Sequence, residues 1–354
     1  MAAWHGEGLV EAIAADREPR RDVLELQSAL GPDRTRMLDY GDVDRSRRPD
    51  VRAIRRTLGP APALARLAFL ERGPANAFFT NGEDVGLPLA ALLGARRVPA
   101  SHTMIAHTLA PLKKRALLRL GVRRRLDRII CYASTEERLL LEDLHLPAGT
   151  VERMNFQADD RFFRPLPVNE EPDLICAAGQ LLRDYDTLVD ATTDLPVRVR
   201  IAAGSPWSPR EPRRRGGLPP NVDWRRYDRF ALRDLYSRSA VAVVPLVEND
   251  YQSGIATILE MMAMGRCVVA SRTRGQTDTI VDGVNGVYVP PGDPKALRET
   301  LSRLLAAPEE RARIGRAARE YVEREAGLDA YVDHLVRAVR EGHAARFGHD
   351  PSDR

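Results

Sequence analysis

Two interleaved periodicities run through the chain between Ser253 and Met262. Ile255, Ile258, Leu259 and Met262 recur at i, i+3, i+4 and i+7, the spacing of a helix face packed on a sheet. Ser253, Thr257 and Glu260 recur at i, i+4 and i+7 on another face, so two hydroxyls near a helix N-terminus line up with a carboxylate nearly two turns along. First-turn amides and the positive end of the helix dipole, at Ser253, Gly254, Ile255, Ala256 and Thr257, suit a diphosphate, and Gly254 admits a ligand close to the backbone. At a rise of about 1.5 Å per residue, Glu260 lies about 10 Å along the axis from Ser253, where a ribose would meet it. On spacing alone a plainer reading stays open, with Ser253 a simple helix cap and Glu260 a solvated carboxylate.

These residues need a scaffold that presents a helix N-terminus beyond a strand end. Short apolar runs rich in Val, Ile and Ala alternate with segments of helical period, the pattern of an α/β protein with parallel sheets flanked by helices. In the first half the runs predict strands at 35–40, 76–80, 97–101 and 128–132; in the second, at 174–178, 197–203, 241–246, 267–271 and 286–289. Amphipathic helices are expected at 294–306, 308–323 and 328–340, the last packing back on the first domain, with a frayed tail over 342–354. The polar, proline-rich stretch from Asp159 to Pro172 reads as a linker. The expected division is therefore 1–165, 166–328, and a returning helix and tail over 329–354. Two such domains facing each other would leave a cleft outside the carboxyl ends of both sheets, suited to two-substrate chemistry.

Bulk properties agree with this scaffold and exclude others. The 354 residues exceed one compact core, and 44% hydrophobic with 29% charged residues is the balance of a globular protein. A net charge of +4 falls short of the dense basic face of a nucleic-acid binder. Cys131, Cys176 and Cys267 sit singly in apolar runs and read as reduced core thiols. With neither a leader-like N-terminus nor a span of about 18 apolar residues, a cytoplasmic location is expected.

The stretch Val243 to Gly265, its sequel Arg266-Cys267-Val268-Val269-Ala270-Ser271, and the run Asp282 to Asp293 together resemble the donor-binding signature of family 4 retaining glycosyltransferases. The resemblance extends from about Asp127 onward. It implies the GT-B fold, with two Rossmann-like doubly wound domains, the first on the acceptor side and the second binding a nucleotide-sugar donor. It also implies transfer with retention, by same-face attack in which the departing phosphate accepts the acceptor's proton. Glu260 matches the second of the family's paired glutamates, and the first position holds Gln252, which still donates and accepts hydrogen bonds. Where the family commonly has a Gly-Arg pair and a later lysine, this chain has Gly179-Gln180-Leu181-Leu182-Arg183, so Arg183 is the cation expected to neutralise the leaving diphosphate. No Asp-x-Asp follows a strand where a metal-dependent transferase would place it, so neither a metal nor a resident cofactor is implied.

In the first half, Val98-Pro99-Ala100-Ser101-His102-Thr103 is read as placing His102 just past a strand end, matching better than His107 a family histidine that contacts the donor sugar. Asn81, Gly82 and Glu83 follow another strand end and would either line the acceptor side or form a turn and helix cap. His5-Gly6-Glu7-Gly8 stands where the family opens with a strand and glycine-rich turn, as its remnant or with the true start upstream. Over 112–128, Lys113, Lys114, Arg115, Arg119, Arg123, Arg124 and Arg125 flank Leu112, Ala116, Leu117 and Leu120. This basic amphipathic segment is either a solvated face or a peripheral contact with an anionic membrane at its inner face. Arg213, Arg214 and Arg215 read as an exposed loop. The acceptor is left open among a small molecule, a glycan and a lipid-linked species. The competing readings are a nucleotide-sugar epimerase on the same fold and a non-catalytic nucleotide-sugar binder.

Overall fold

A computed structural model describes residues 8–73, 76–203 and 217–349; His5 to Glu7 and Arg213 to Arg215 lie outside them. The chain forms two compact units. Among the described residues one comprises 22–154 and 332–349, the other 8–21 and 155–331.

The first unit is built on β1 (Ala77–Asn81), β2 (Ser101–Ala106), β3 (Arg128–Cys131) and β4 (Val151–Arg153), all parallel and in the spatial order β1-β2-β3-β4. Successive strands are added on one side only, because the segment before β1 is spent on helices such as Pro49–Thr57 and Pro60–Leu70. The strand expected over 35–40 does not form. Asp39 and Asp42 make a reciprocal capping box there and start the helix Tyr40–Arg45. The strand expected over 97–101 is displaced to β2, whose six residues are all buried. Its polar members are satisfied across the sheet and from the C-terminal helix. His102 Nε2 lies 2.9 Å from Thr80 Oγ1, and Ser101 Oγ lies 3.3 Å from His343 Nδ1. That helix, Leu328–Phe347, continues through the tail expected to fray, because His343 is fully buried and Arg346 pairs with Asp127 at 2.9 Å.

The second unit carries β5 (Glu171–Ala178), β6 (Arg198–Ala202), β7 (Val222–Arg225), β8 (Ser239–Val244), β9 (Cys267–Ser271) and β10 (Val287–Val289). All pairs are parallel, and the order is β10-β9-β8-β5-β6-β7, a doubly wound sheet. Its central strands are buried on both faces, which is why they read as near-continuous apolar runs. One face packs on the helix Ile255–Ala263, where Ile258, Leu259 and Met262 are at most 1% exposed. The other packs on Tyr185–Thr192 and Pro294–Ala306 through Leu188, Leu297 and Leu301. Residues 159–170 are more than a spacer, because Phe162 and Phe163 enter the first of these clusters. Buried Asp159 accepts hydrogen bonds from the Arg20 backbone and guanidinium, tying residues 8–21 to this unit.

Gly315, in the helix Pro308–Tyr321, packs against the turn that leads into β9. A Cβ added there would stand 2.2 Å from the Gly265 carbonyl oxygen, which is backbone and cannot swing away. Gly315→Ala should therefore cost about 1–3 kcal/mol in urea unfolding followed by circular dichroism. Gly149→Ala, where a Cβ meets open space, should change stability by less than about 0.5 kcal/mol. Equal midpoints for the two variants would contradict this packing.

Candidate active site

The order of the second sheet reverses between β5 and β8, with β6 and β7 laid down on one side and β8, β9 and β10 continuing on the other. Loops leaving the carboxyl ends of two such strands diverge and open a crevice for ligands. The two loops here are stitched together near their bases. The amide of Asp184 donates to the Pro245 carbonyl at 3.0 Å, and that of Val247 to the Leu182 carbonyl at 3.1 Å.

Arg183 is drawn down into this crevice. Its Nε donates to the Ala178 carbonyl at 2.9 Å, Nη1 to the Leu181 carbonyl at 2.8 Å and Nη2 to Thr257 Oγ1 at 3.1 Å. Two glycines make room for the guanidinium. A Cβ on Gly179 would meet Arg183 Nη2 at 2.4 Å and one on Gly254 would meet Nη1 at 3.3 Å, and both residues hold positive φ, at 95° and 79°. Burial lowers the Arg183 pKa from its ordinary value, yet the group keeps its charge. A delocalised cation therefore sits against the start of the helix Ile255–Ala263, and among the described residues no side chain caps that helix. Its first i to i−4 bond is Ile258 to Gly254, so the amides of Ile255, Ala256 and Thr257 lie ahead of the helical ladder, available to an anion.

Glu260 follows one turn after Thr257, its side chain 13% exposed. Arg229 Nη1 donates to its Oε1 at 2.9 Å and the Tyr236 hydroxyl to its Oε2 at 3.4 Å. Burial raises the Glu260 pKa, and Arg229 and Tyr236 work against that shift. The position is thus a half-enclosed carboxylate with a cation beside it, and the solvated alternative does not hold.

Gly179, Arg183, Gly254, Ile255, Ala256, Thr257 and Glu260 are brought together in this crevice. Ser253 is not part of the helix stripe. It precedes the Gly254 cap, is fully buried, and receives a hydrogen bond from Asn249 Nδ2 on its Oγ and one from Gln276 Nε2 on its carbonyl, so it braces the loop. Gln252 is buried beside it, its Oε1 without a hydrogen-bond partner among the described residues. A buried acceptor left without a donor is costly, a mark of a site completed by a ligand or water.

His102 requires a correction. It lies inside β2, is 0% exposed, and burial lowers its pKa to about 3, so it serves the core as a neutral imidazole. The residue just past the strand end is His107, half-buried, with its pKa lowered to about 4, chiefly by burial. Glu83 holds that loop, accepting the amides of His107 at 2.8 Å and Thr108 at 3.3 Å while paired with Lys114 at 2.7 Å. Its carboxylate is 97% buried, so Glu83 positions the strand-end loop from the start of its own helix. Glu136 completes the arrangement by accepting the Leu109 amide, and burial pushes its pKa up to about 7.

Sequence reasoning missed Arg229 and Gln276. Arg229 lies 31 positions before its partner, and the signal that could have located it is Asp228, which caps the helix Arg229–Arg238 by accepting the Ala231 amide. Gln276 sits in an irregular loop with no periodicity to announce it.

Residues 174–307 match the family model described as Glycosyl transferases group 1. D-inositol 3-phosphate glycosyltransferase from Xylanimonas cellulosilytica is 34% identical over 168 residues, 44% of this chain and 38% of that protein. Its counterpart from Nocardiopsis dassonvillei is 29% identical over 251 residues, 63% of this chain and 58% of that one. The chain thus spans less than two thirds of the length of these curated relatives. Among solved structures, sucrose-phosphate synthase from Thermosynechococcus elongatus superposes with a TM-score of 0.66 at 20% identity, covering 82% of this chain and 80% of its own. The Anabaena protein HepE in complex with UDP-glucose gives 0.62 at 14% identity, covering 78% and 81%. The likeness of fold spans both α/β units and is to two-domain glycosyltransferases of the GT-B fold, and the segment from within β5 through the helix Pro294–Ala306 matches a group 1 glycosyltransferase domain.

Proposed function

We propose that the chain transfers a sugar from a nucleotide-sugar donor to an acceptor hydroxyl with retention of anomeric configuration. The observation that carries this reading is the convergence of the uncapped Ile255–Ala263 helix start, Arg183 and Glu260 at the β5/β8 switch point. The helix amides and Arg183 bind the diphosphate, Glu260 accepts the ribose hydroxyls, and Gln252 reads a donor-sugar hydroxyl. In the reaction the bond from the anomeric carbon to the phosphate oxygen breaks and the acceptor oxygen bonds to that carbon on the same face. The acceptor's proton passes to the departing phosphate oxygen. Arg183 and the amides stabilise the negative charge that develops on the leaving diphosphate, and this step asks for no metal. His107, in the first unit, stands beyond β2 at the place in the strand-end loop expected of His102.

We assign acceptor binding to the first unit. D-inositol 3-phosphate, named for the curated relatives, is the first acceptor to try, beside glycan and lipid-linked candidates. On the helix Leu112–Arg119 and the turn after it, Leu112 is 79% exposed and Leu120 82%, with Leu117 also exposed, flanked by exposed Lys113, Arg119 and Arg124. This combination suits peripheral contact with an anionic membrane from the cytoplasmic side. Among the described residues no helix is long and apolar enough to cross a membrane.

Three outcomes are expected. Calorimetric titration with UDP, GDP and ADP should find one that binds, and Glu260→Gln should weaken it at least tenfold, because charge-assisted hydrogen bonds are worth about 1.5–3 kcal/mol each. A folded variant that binds like the parent removes Glu260 from the ribose. Transfer should persist in EDTA; loss of turnover restored by magnesium or manganese would refute the metal-free step. The parent should co-sediment with phosphatidylserine vesicles at low salt, and replacing Leu112 and Leu120 with Ser, and Lys113, Arg119 and Arg124 with Gln, should abolish this. Co-sedimentation unchanged by those substitutions would move the contact elsewhere.

A further inference from the structure

The carboxylate at position 260 is enclosed, yet its ribose-binding role requires it to be ionised and to keep lone pairs free for two hydroxyls. A carboxylate offers about four acceptor sites. Arg229 Nη1 takes one on Oε1 at 2.9 Å, and the Tyr236 hydroxyl reaches Oε2 at 3.4 Å. The remaining sites stay available.

Arg229 is itself well fixed. It is the first residue of the helix Arg229–Arg238, anchored by the Asp228 cap, and that helix packs under β5 and β8 through Leu235 and fully buried Tyr236. Its side chain is 41% exposed against 13% for Glu260, so the carboxylate is the more enclosed member of the pair.

We infer that Arg229 is a positioning residue for donor binding, holding the Glu260 carboxylate ionised and fixed in direction so that its free lone pairs meet the ribose. This rests on the donor-site reading above.

The charged and titratable groups around Glu260 leave this task chiefly to Arg229. Tyr236 and Tyr185 have their pKa values raised by burial, and burial pushes the Cys176 thiol up to about 12, so all three are neutral. Arg21, from the N-terminal segment, acts on Glu260 through its charge less strongly than Arg229 does, and its guanidinium is paired with Glu18 at 2.9 Å. Arg183 is committed to Thr257 and two carbonyls. Arg229 opposes the burial of Glu260 more than any other of these groups. Its removal must raise the carboxyl pKa further. Below that pKa, each unit of upward displacement costs tenfold in the affinity of any ligand that needs the ionised form.

The test compares the parent, Arg229→Gln, Arg229→Lys, Glu260→Gln and the double variant Arg229→Gln/Glu260→Gln. The probe is whichever of UDP, GDP and ADP the parent binds most tightly, titrated calorimetrically between about pH 5.5 and 9, with circular dichroism as the folding control. Arg229→Gln should bind at least about tenfold more weakly near pH 6, with the gap closing toward pH 9 as the carboxyl ionises. Arg229→Lys should recover most of the affinity. In the Glu260→Gln background, loss of Arg229 should have little further effect. If a folded Arg229→Gln or, should it misfold, Arg229→Met follows the parent's pH profile, the inference is wrong while the donor site stands. An equal loss at every pH that persists in the Glu260→Gln background would also overturn it, since Arg229 would then contact the ligand directly or act only on the fold. A parent that binds none of the three nucleotides overturns the donor-site reading and this inference with it.

Discussion

A carboxylate taken out of water is costly unless its neighbours offset the burial, and the surroundings of Glu260 are arranged around that constraint. Glu260 lies one turn after Thr257 on the face that carries Arg183's partner, while its neighbours Ile258, Leu259 and Met262 are committed to the sheet. Arg229 and Tyr236 reach it from an adjacent helix, whose start is fixed by Asp228. One turn closer to the helix start, Arg183 Nη2 reaches Thr257 past Gly179, where a Cβ would stand 2.4 Å from that nitrogen. The crevice thus holds two cations: Arg183 against the helix start, and Arg229 beside Glu260, where it offsets the protein's own acid.

The second unit was largely legible because its strands are buried on both faces. A run such as Val241 to Val244 has no polar side to alternate with and stands out as continuous apolar sequence. The helix Ile255–Ala263 was equally plain, and its apolar face packs as its spacing implies. Two edge strands were not legible: β4 has three residues and β7 reads Val222-Asp223-Trp224-Arg225, too short and too polar to signal a strand, whereas the edge strands β1 and β10 were expected within a residue of where they lie. The long-range pair Arg229–Glu260 has no local signature either, since it depends on two helices meeting in space.

In the first unit, composition misled. The strand β2 opens Ser101-His102-Thr103, residues that look like a loop, while the preceding Val98-Pro99-Ala100 looks more apolar. Tertiary hydrogen bonds override that bias: Thr80 meets His102, and Asp127 accepts the His102 amide at 2.8 Å. A shift of about five residues in one strand exchanged the functional candidates, burying His102 and leaving His107 beyond the strand end. The C-terminal helix shows the same principle. Its last turns have weak amphipathicity, and they persist because His343 and Arg346 are held by the first sheet and its loops.

The central claim is that a nucleoside diphosphate lies on the start of the helix Ile255–Ala263 with its ribose at Glu260. Hydrogen exchange tests it most directly, because the amides of Ile255, Ala256 and Thr257 precede the first helical hydrogen bond and should exchange fast without ligand. At saturating nucleotide these amides should show the largest gain in protection in the chain, with a smaller gain over residues 179–184. Saturated binding that leaves the 255–257 amides exchanging at their ligand-free rates, with protection appearing elsewhere, would contradict the account.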